Sequence, residues 1–137
     1  MKLLGIPPSD NDFYVFTEDL FAPDCIFVFG SNTAGVHGAG AAKAARFQYG
    51  AQLGVGMGFT GRAYGIPTKD ANIRTLPLET IRIYVEDFVK LSRRGGVNFL
   101  VAAVGCKLAG YTPAQIAPLF RGAKHCWFPM EWKPYLT

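Results

Sequence analysis

The segment Cys25–Tyr49, CIFVFGSNTAGVHGAGAAKAARFQY, decides the predicted fold. It begins with the apolar run Cys25–Phe29, which is typical of a strand covered on both faces. Gly30 is predicted to end that strand. The Ala-rich stretch Ala39–Tyr49 predicts a helix, and Gly50 is placed where a left-handed glycine terminates one.

The glycines between this strand and helix point to an anion site. Gly35, Gly38 and Gly40 allow positive φ and close approach of backbone to a ligand. The first amides of a helix lack intrahelical acceptors, and the helix dipole is positive at that end. The spacing runs G-x-x-G-x-G, so the G-x-G-x-x-G of dinucleotide-dependent dehydrogenases is absent.

The bulk composition predicts one folded domain. The 137 residues are half hydrophobic, with a formal net charge of +4. We expect a single domain over 1–137, with an N-terminal loop at 1–12 and a C-terminal tail at 131–137. The cations are scattered along the sequence, which favours an anionic small ligand over a nucleic-acid surface.

The three cysteines predict buried free thiols in a reducing compartment. Cys25, Cys106 and Cys126 are odd in number and lack metal-ligand spacing. No apolar run approaches the length of a membrane span, and no signal-peptide core is visible. We therefore expect a cytoplasmic protein that makes no membrane contact and holds no metal.

The rest of the chain predicts alternating strands and helices. Pro7, Pro8 and Ser9 indicate a loop, and Thr17–Phe21 is either a turn or a short helix. Gly50–Gly61 is either an ordered loop close to a ligand or strand, or a mobile hairpin. Strands are predicted at Phe13–Phe16, Arg62–Ile66 (stopped by Pro67), Val97–Val104 and His125–Met130, and helices at Pro77–Ser92 and from Thr112.

This alternation predicts an α/β fold with a largely parallel sheet. Two strands, ending near Asn32 and near Gly105, lead into glycine-containing loops followed by helices. Side by side, two such loops form a cleft whose rims suit a diphosphate.

The order of these motifs resembles the macro domain, the ADP-ribose-binding α/β fold. FVFGSNTAGVHGAGAA is similar to its strand and first glycine loop, and NFLVAAVGCKLAGYTP to its second phosphate loop. Thr17–Leu20 lies where macro domains carry the Asp that binds adenine. The resemblance implies a three-layer fold with a mixed, largely parallel sheet and helices on both faces. It also implies binding of ADP-ribose or a related adenine nucleotide, and it leaves open whether an ADP-ribosyl linkage on a macromolecule is hydrolysed.

Four residues are candidates for catalysis. Asn32 is expected to orient the distal ribose, or else to cap its own turn. His37 contacts phosphate or transfers a proton, or else is an inert exposed histidine. Lys69 and Asp70 follow a strand end; the resemblance implies a Lys with an acidic partner acting at ribose C1″, and a solvated loop pair is the alternative.

The remaining candidates are expected to bind the ligand. Asp19 is assigned to adenine by the resemblance, or else caps a turn. Tyr111 packs against a ribose, or else is a core tyrosine. Cys106 has no base nearby in sequence, so we favour a structural thiol. The full predicted binding set is Asp19, Gly30, Ser31, Asn32, Gly35, Gly38, Ala39, Gly40, Gly105, Cys106, Leu108, Ala109, Gly110 and Tyr111.

Two functions stay open at this point: a hydrolase of ADP-ribosyl linkages, and a binding or sensing module of the same fold without turnover. No cofactor is expected in either case. The oligomeric state is left open. The aromatic residues near the C terminus are interpreted as an exposed dimer surface or as a lid over the core; they are Trp127, Phe128, Trp132 and Tyr135.

Overall fold

The computed structural model describes residues 2–4 and 10–137. Its strands are β1 Lys2–Leu3, β2 Asp12–Tyr14, β3 Leu20–Phe21, β4 Cys25–Asn32, β5 Gly58–Thr60, β6 Ala63–Lys69, β7 Asn98–Val101 and β8 Cys126–Pro129. Its helices are α1 Gly40–Tyr49, α2 Leu78–Ser92, α3 Pro113–Ile116 and α4 Lys133–Leu136, with 3₁₀ turns at Ala117–Phe120 and Met130–Trp132.

The main sheet has the strand order β2-β8-β7-β4-β6-β5. Every neighbouring pair in it is parallel except β5 and β6. β1 and β3 pair separately, also in parallel. The predicted α/β class with a largely parallel, mixed sheet is therefore confirmed.

Helices cover both faces of this sheet. Along β4, Phe27 and Phe29 pack with Ala45 of α1, whereas Val28 packs with Val85 of α2. Successive strand residues point to opposite faces, so the side chains of β4 contribute to two separate cores, one on each face of the sheet. The result is a three-layer arrangement.

The helix predictions are confirmed to within a residue at most ends. Gly50 ends α1 with φ of 75°, in the left-handed region where glycine carries no steric cost. The Thr112 N–H donates to Gln115 Oε1 at 2.9 Å at the start of α3. The α-helix changes to a 3₁₀ turn at Ala117, next to Pro118, because a proline has no N–H to continue the α-helical hydrogen bonds.

Two predicted strand ends are wrong. β4 continues through Gly30 to Asn32, and β6 continues through Pro67 to Lys69. The pairing between β4 and β6 extends from Phe27 to Asn32, which overrides the local preference of Gly30. Pro67 is tolerated because β5 pairs only with the earlier part of β6, so no strand there requires its missing N–H.

The other strand predictions are right in place but differ in length, as the bounds of β2, β7 and β8 show. Gly50–Gly61 was expected to be an ordered loop or a hairpin; its last residues form β5, which makes a hairpin with β6. Thr17–Phe21 is a turn followed by β3. The predicted N-terminal loop contains β1, and Pro7, Pro8 and Ser9 lie outside the described residues.

The C-terminal segment packs on the core, so the alternative of an exposed dimer surface is wrong for its buried aromatic residues and the alternative of a lid over the core agrees with their packing. Trp132 and Phe128 are both buried. The Trp132 ring lies 5.2 Å from the Phe120 ring and 6.1 Å from that of Phe128, between centroids. In the part of the chain that the structure describes, no helix is both long and apolar enough to cross a bilayer.

Candidate functional site

The predicted loops gather at one edge of the sheet. β4, β6 and β7 are parallel neighbours, so their carboxyl ends lie together. β4 leads into residues 33–39, here called the first glycine loop. β7 leads through residues 102–104 into residues 105–111, the second glycine loop, and β6 leads into residues 70–77, the connecting loop. Open α/β sheets place ligands at this edge.

The two glycine loops are in direct proximity. A Cβ placed on Gly40 lies 3.6 Å from the Leu108 Cδ1 atom. A Cβ placed on Gly30 lies 3.5 Å from the Gly105 amide nitrogen. The structure thus brings together the two segments that the sequence placed on either side of a cleft.

The Asn32 side chain stabilises the first glycine loop through hydrogen bonds to its backbone. Its Nδ2 donates to the Val36 carbonyl at 2.8 Å, and the Val36 N–H donates to its Oδ1 at 3.1 Å. The side chain is buried, and both ends of the carboxamide are used within the loop. This geometry matches the turn-capping interpretation of Asn32.

His37 is buried, so the alternative of an inert exposed histidine is wrong. Its Nε2 lies 3.1 Å from the carbonyls of both Gln52 and Val55, and its ring meets the Phe29 ring edge-on at 5.3 Å. His37 therefore connects the first glycine loop to the residues before β5. Its Nδ1 has no hydrogen-bond partner among the described residues.

The N terminus of α1 is open. Ala39 occupies the cap position, no side chain caps the helix, and its first turn contains no acidic residue. Gly38, Ala39 and Gly40 are all exposed. The first amides of this helix therefore face solvent, with the positive end of the dipole behind them.

The second glycine loop presents further amides. Its turn is closed by hydrogen bonds from Gly110 N to Lys107 O and from Tyr111 N to Gly105 O. Within the described chain, the amides of Lys107, Leu108 and Ala109 donate no hydrogen bond. Successive free N–H groups of this kind form an anion-binding concavity.

Two hydrogen bonds join the connecting loop to the second glycine loop. Thr75 Oγ1 donates to the Ala109 carbonyl at 3.1 Å, and the Tyr111 hydroxyl donates to Leu76 O at 2.6 Å. Tyr111 thus links the two loops, and its half-buried ring packs against the core. Sequence reasoning missed Thr75, which carries no local signal, and also Lys107, a cation inside a small-residue turn.

Lys69 and Asp70 play different parts at the end of β6. The Asp70 Oδ1 accepts hydrogen bonds from the amides of Asn72 and Arg74 at 2.8 and 3.0 Å. The turn that it closes holds Ile73 at φ of 61°, a strained conformation for a β-branched residue. The Lys69 ammonium forms no ion pair with any described residue.

Asp19 lies in a different place from the loops. It lines a cavity of about 390 Å³ with Glu18, Leu20, Phe21 and Gln48. Gln48 is eight residues along α1 from Gly40, about 12 Å at the helical rise. The cavity therefore opens at the end of α1 opposite to the first glycine loop.

Ser31 and Cys106 complete the predicted set. The buried Ser31 hydroxyl donates to the Gly56 carbonyl, so it serves the fold. Burial raises the pKa of the half-buried Cys106 thiol to about 11, which favours the neutral form. All three cysteines are free, and the described residues contain no cluster of His, Cys, Asp or Glu that could hold a metal.

Comparisons of the chain with protein-family models, with curated proteins and with solved structures give no match.

Proposed function

We propose that the chain is a macro-like domain that binds ADP-ribose or a related adenine nucleotide between its two glycine loops. The observation that carries this proposal is the meeting of two sets of open amides at one sheet edge. One set is the uncapped start of α1, and the other is the run from Lys107 to Ala109. Two adjacent groups of N–H donors match the two phosphates of a diphosphate.

The charge at this edge supports an anionic ligand. Three lysines belong to segments that begin or end at this sheet edge: Lys43 in the first turns of α1, Lys69 at the end of β6 and Lys107 in the second glycine loop. Asp70 is the carboxylate in these segments, and one of its oxygens is already occupied by backbone amides. The local balance therefore favours phosphate.

The proposal is tested by calorimetric titration with ADP-ribose, ADP, AMP and NAD. We expect binding of ADP-ribose, and a loss of at least about tenfold in affinity for Lys107→Ala, the cost of one charge-assisted contact. Arg94→Ala is the matched control, because Arg94 is exposed and precedes β7 at the opposite sheet edge. Asn32→Ala is a poor probe, since it releases the first glycine loop.

Two results would sink the binding proposal. One is the absence of heat with all four nucleotides. The other is an equal loss of affinity in Lys107→Ala and Arg94→Ala. Such a result would mean that the net charge of the protein, and not a contact of Lys107 with the ligand, sets the affinity.

Turnover is a separate step of the same proposal. In hydrolysis, water adds across the bond between ribose C1″ and its substituent, and the leaving group takes the proton. Lys69→Met keeps the aliphatic stem, and Asp70→Asn keeps the acceptor used by the Asn72 and Arg74 amides. If these groups act on the bond, both variants release ADP-ribose from an ADP-ribosylated peptide at least about 100-fold more slowly, a loss larger than any loss of ADP-ribose affinity in the same variant.

A binding module without turnover is the second candidate function. The observation that favours it is the use of Asp70 as a brace for the connecting loop, which leaves it less free to act on water. In that case the unmodified protein binds ADP-ribose and releases none from the peptide, as followed by mass spectrometry.

A further inference from the structure

The fold collects cations at the sheet edge opposite the glycine loops. They come from the end of α2 and from the turn that precedes β8, two segments about 30 residues apart in sequence. We call this surface the basic patch; its members are Lys90, Arg93, Arg94, Arg121 and Lys124. The sequence alone shows no run of cations longer than Arg93–Arg94.

Direct contacts hold the two segments together. Arg93 Nη1 donates to the Gly122 carbonyl at 2.9 Å, and the Lys124 N–H donates to Ser92 Oγ at 3.0 Å. A Cβ placed on Gly95 lies 3.7 Å from the His125 Nε2 atom. These contacts bring the two segments that carry the five cations side by side.

Little acidic charge opposes the basic patch. Asp10 pairs with Lys124 at 2.8 Å, and Glu86 on the preceding turn of α2 pairs with Arg82 instead. Asp87 lies one turn before Lys90 on α2. Even with Asp10 counted against them, the five cations carry as much charge as the formal +4 of the whole chain.

The dipole of α2 explains only part of this arrangement. Cations are stabilised at a helix C terminus, which accounts for Lys90 and Arg93. Arg121 and Lys124 come from another segment and gain nothing from that helix end. Arg121 donates through Nε to the Tyr135 carbonyl at 3.3 Å, so its terminal nitrogens are left for other partners.

We propose that the basic patch docks the phosphate backbone of double-stranded nucleic acid. Three of its five cations are arginines, whose guanidinium fork matches phosphate oxygens. Within residues 90–97 and 121–125, which carry the patch, Val97 is the one exposed large hydrophobic residue, which leaves little to insert into a bilayer. These two segments contain no Phe, Tyr or Trp to stack unpaired bases, so the duplex is favoured over a single strand.

The docking proposal is tested by fluorescence anisotropy with a labelled duplex of about 20 base pairs, as DNA and as RNA. With about four phosphate contacts, affinity should fall roughly 100-fold between about 50 and about 200 mM salt. Lys90→Glu with Arg94→Glu should lower the affinity at least about tenfold and flatten the salt dependence. Neither side chain forms a hydrogen bond with a described residue, so the fold should persist, as circular dichroism can check.

The matched control is Lys43→Glu with Lys107→Glu, which changes the net charge equally at the glycine-loop edge. It should leave duplex affinity unchanged, while Lys90→Glu with Arg94→Glu leaves ADP-ribose binding unchanged. Equal losses of duplex affinity in both pairs, no binding at low salt, tighter binding to a single strand, or tighter binding to phosphatidylserine vesicles would each overturn the proposal. It stands independently of the nucleotide cleft.

Discussion

Cys106 shows how a residue in the candidate site is set by its surroundings. It lies in the second glycine loop, where its thiol is partly covered by the core formed by α2 and β7. Burial disfavours the thiolate, so the pKa rises from 9.0 to about 11. A nucleophilic cysteine needs the opposite shift, and the environment of Cys106 therefore suits packing rather than attack.

We predict that Cys106 reacts slowly with iodoacetamide in the folded protein at neutral pH. A pKa two units above normal reduces the thiolate fraction about 100-fold. The alkylation rate should therefore rise about tenfold per pH unit from pH 8 to about pH 10, since thiolate forms as pH approaches the raised pKa. Mass spectrometry of the Cys106 peptide measures this, with the fully buried Cys126 as an unlabelled internal reference.

Labelling of Cys106 at pH 7 as fast as that of free cysteine would contradict this assignment. It would mean that the thiolate is stabilised by a nearby positive group.

At the scale of elements, the candidate site depends on close backbone contact between segments. The residues before β5 press against the end of β4, and a Cβ on Gly56 would lie 2.0 Å from the Asn32 carbonyl oxygen. His37 and Ser31 bond to the same stretch through the carbonyls of Gln52, Val55 and Gly56. The first glycine loop therefore rests on a rigid support.

We predict that Gly56→Ala lowers the free energy of unfolding by about 3 kcal/mol or more, because β4 or the loop must move. Gly38→Ala is the matched control, since a Cβ there meets no atom within 4 Å and the φ of Gly38 is not positive. It should be neutral or slightly stabilising, through the unfolded chain. Urea unfolding followed by far-ultraviolet circular dichroism compares the two, and equal stabilities would show that the contact is loose.

At the scale of the whole molecule, the C-terminal segment completes the core. Trp132 forms an aromatic cluster with Phe120 and Phe128, and Phe120 extends the cluster to Phe88 of α2. Core packing on this face of the sheet therefore depends on residues close to the last one described.

We predict that Trp132→Ala costs about 3–5 kcal/mol of unfolding free energy, the usual price of deleting a buried aromatic ring. Trp132→Phe keeps most of the ring volume and should cost less than about 1.5 kcal/mol. Chemical unfolding monitored by circular dichroism gives both values. A loss below 1 kcal/mol for the alanine variant would mean that the segment packs loosely.

The sequence predicted much of this molecule, for physical reasons that can be named. Apolar runs and helical periodicity are local signals, and they located β4, α1, α2 and β7. The ends of β4 and β6 were missed because pairing between distant strands overrides Gly30 and Pro67.

In the candidate site, too, the features with a local sequence signal were predicted and those that depend on distant residues were missed. The two glycine loops carry a local signal and were placed side by side correctly. Turn capping by Asn32 was one of its two predicted roles, because Val36 is only four residues away. The bonds of His37, the hydrogen bond from Thr75 and the contacts that join the segments of the basic patch connect residues 15 to 34 positions apart. No pattern in one segment contains that information.

The pairing of β2 with β8 has a consequence for synthesis of the chain on the ribosome. β2 takes its place in the main sheet only beside β8, and Asn11 bonds Cys126 across 115 residues. At about 5–20 residues per second, translation takes about 6–23 s to cover that distance. Throughout this interval β2 has no pairing partner, so it joins the main sheet only after β8 has been synthesised, and until then it is a target for holdase chaperones.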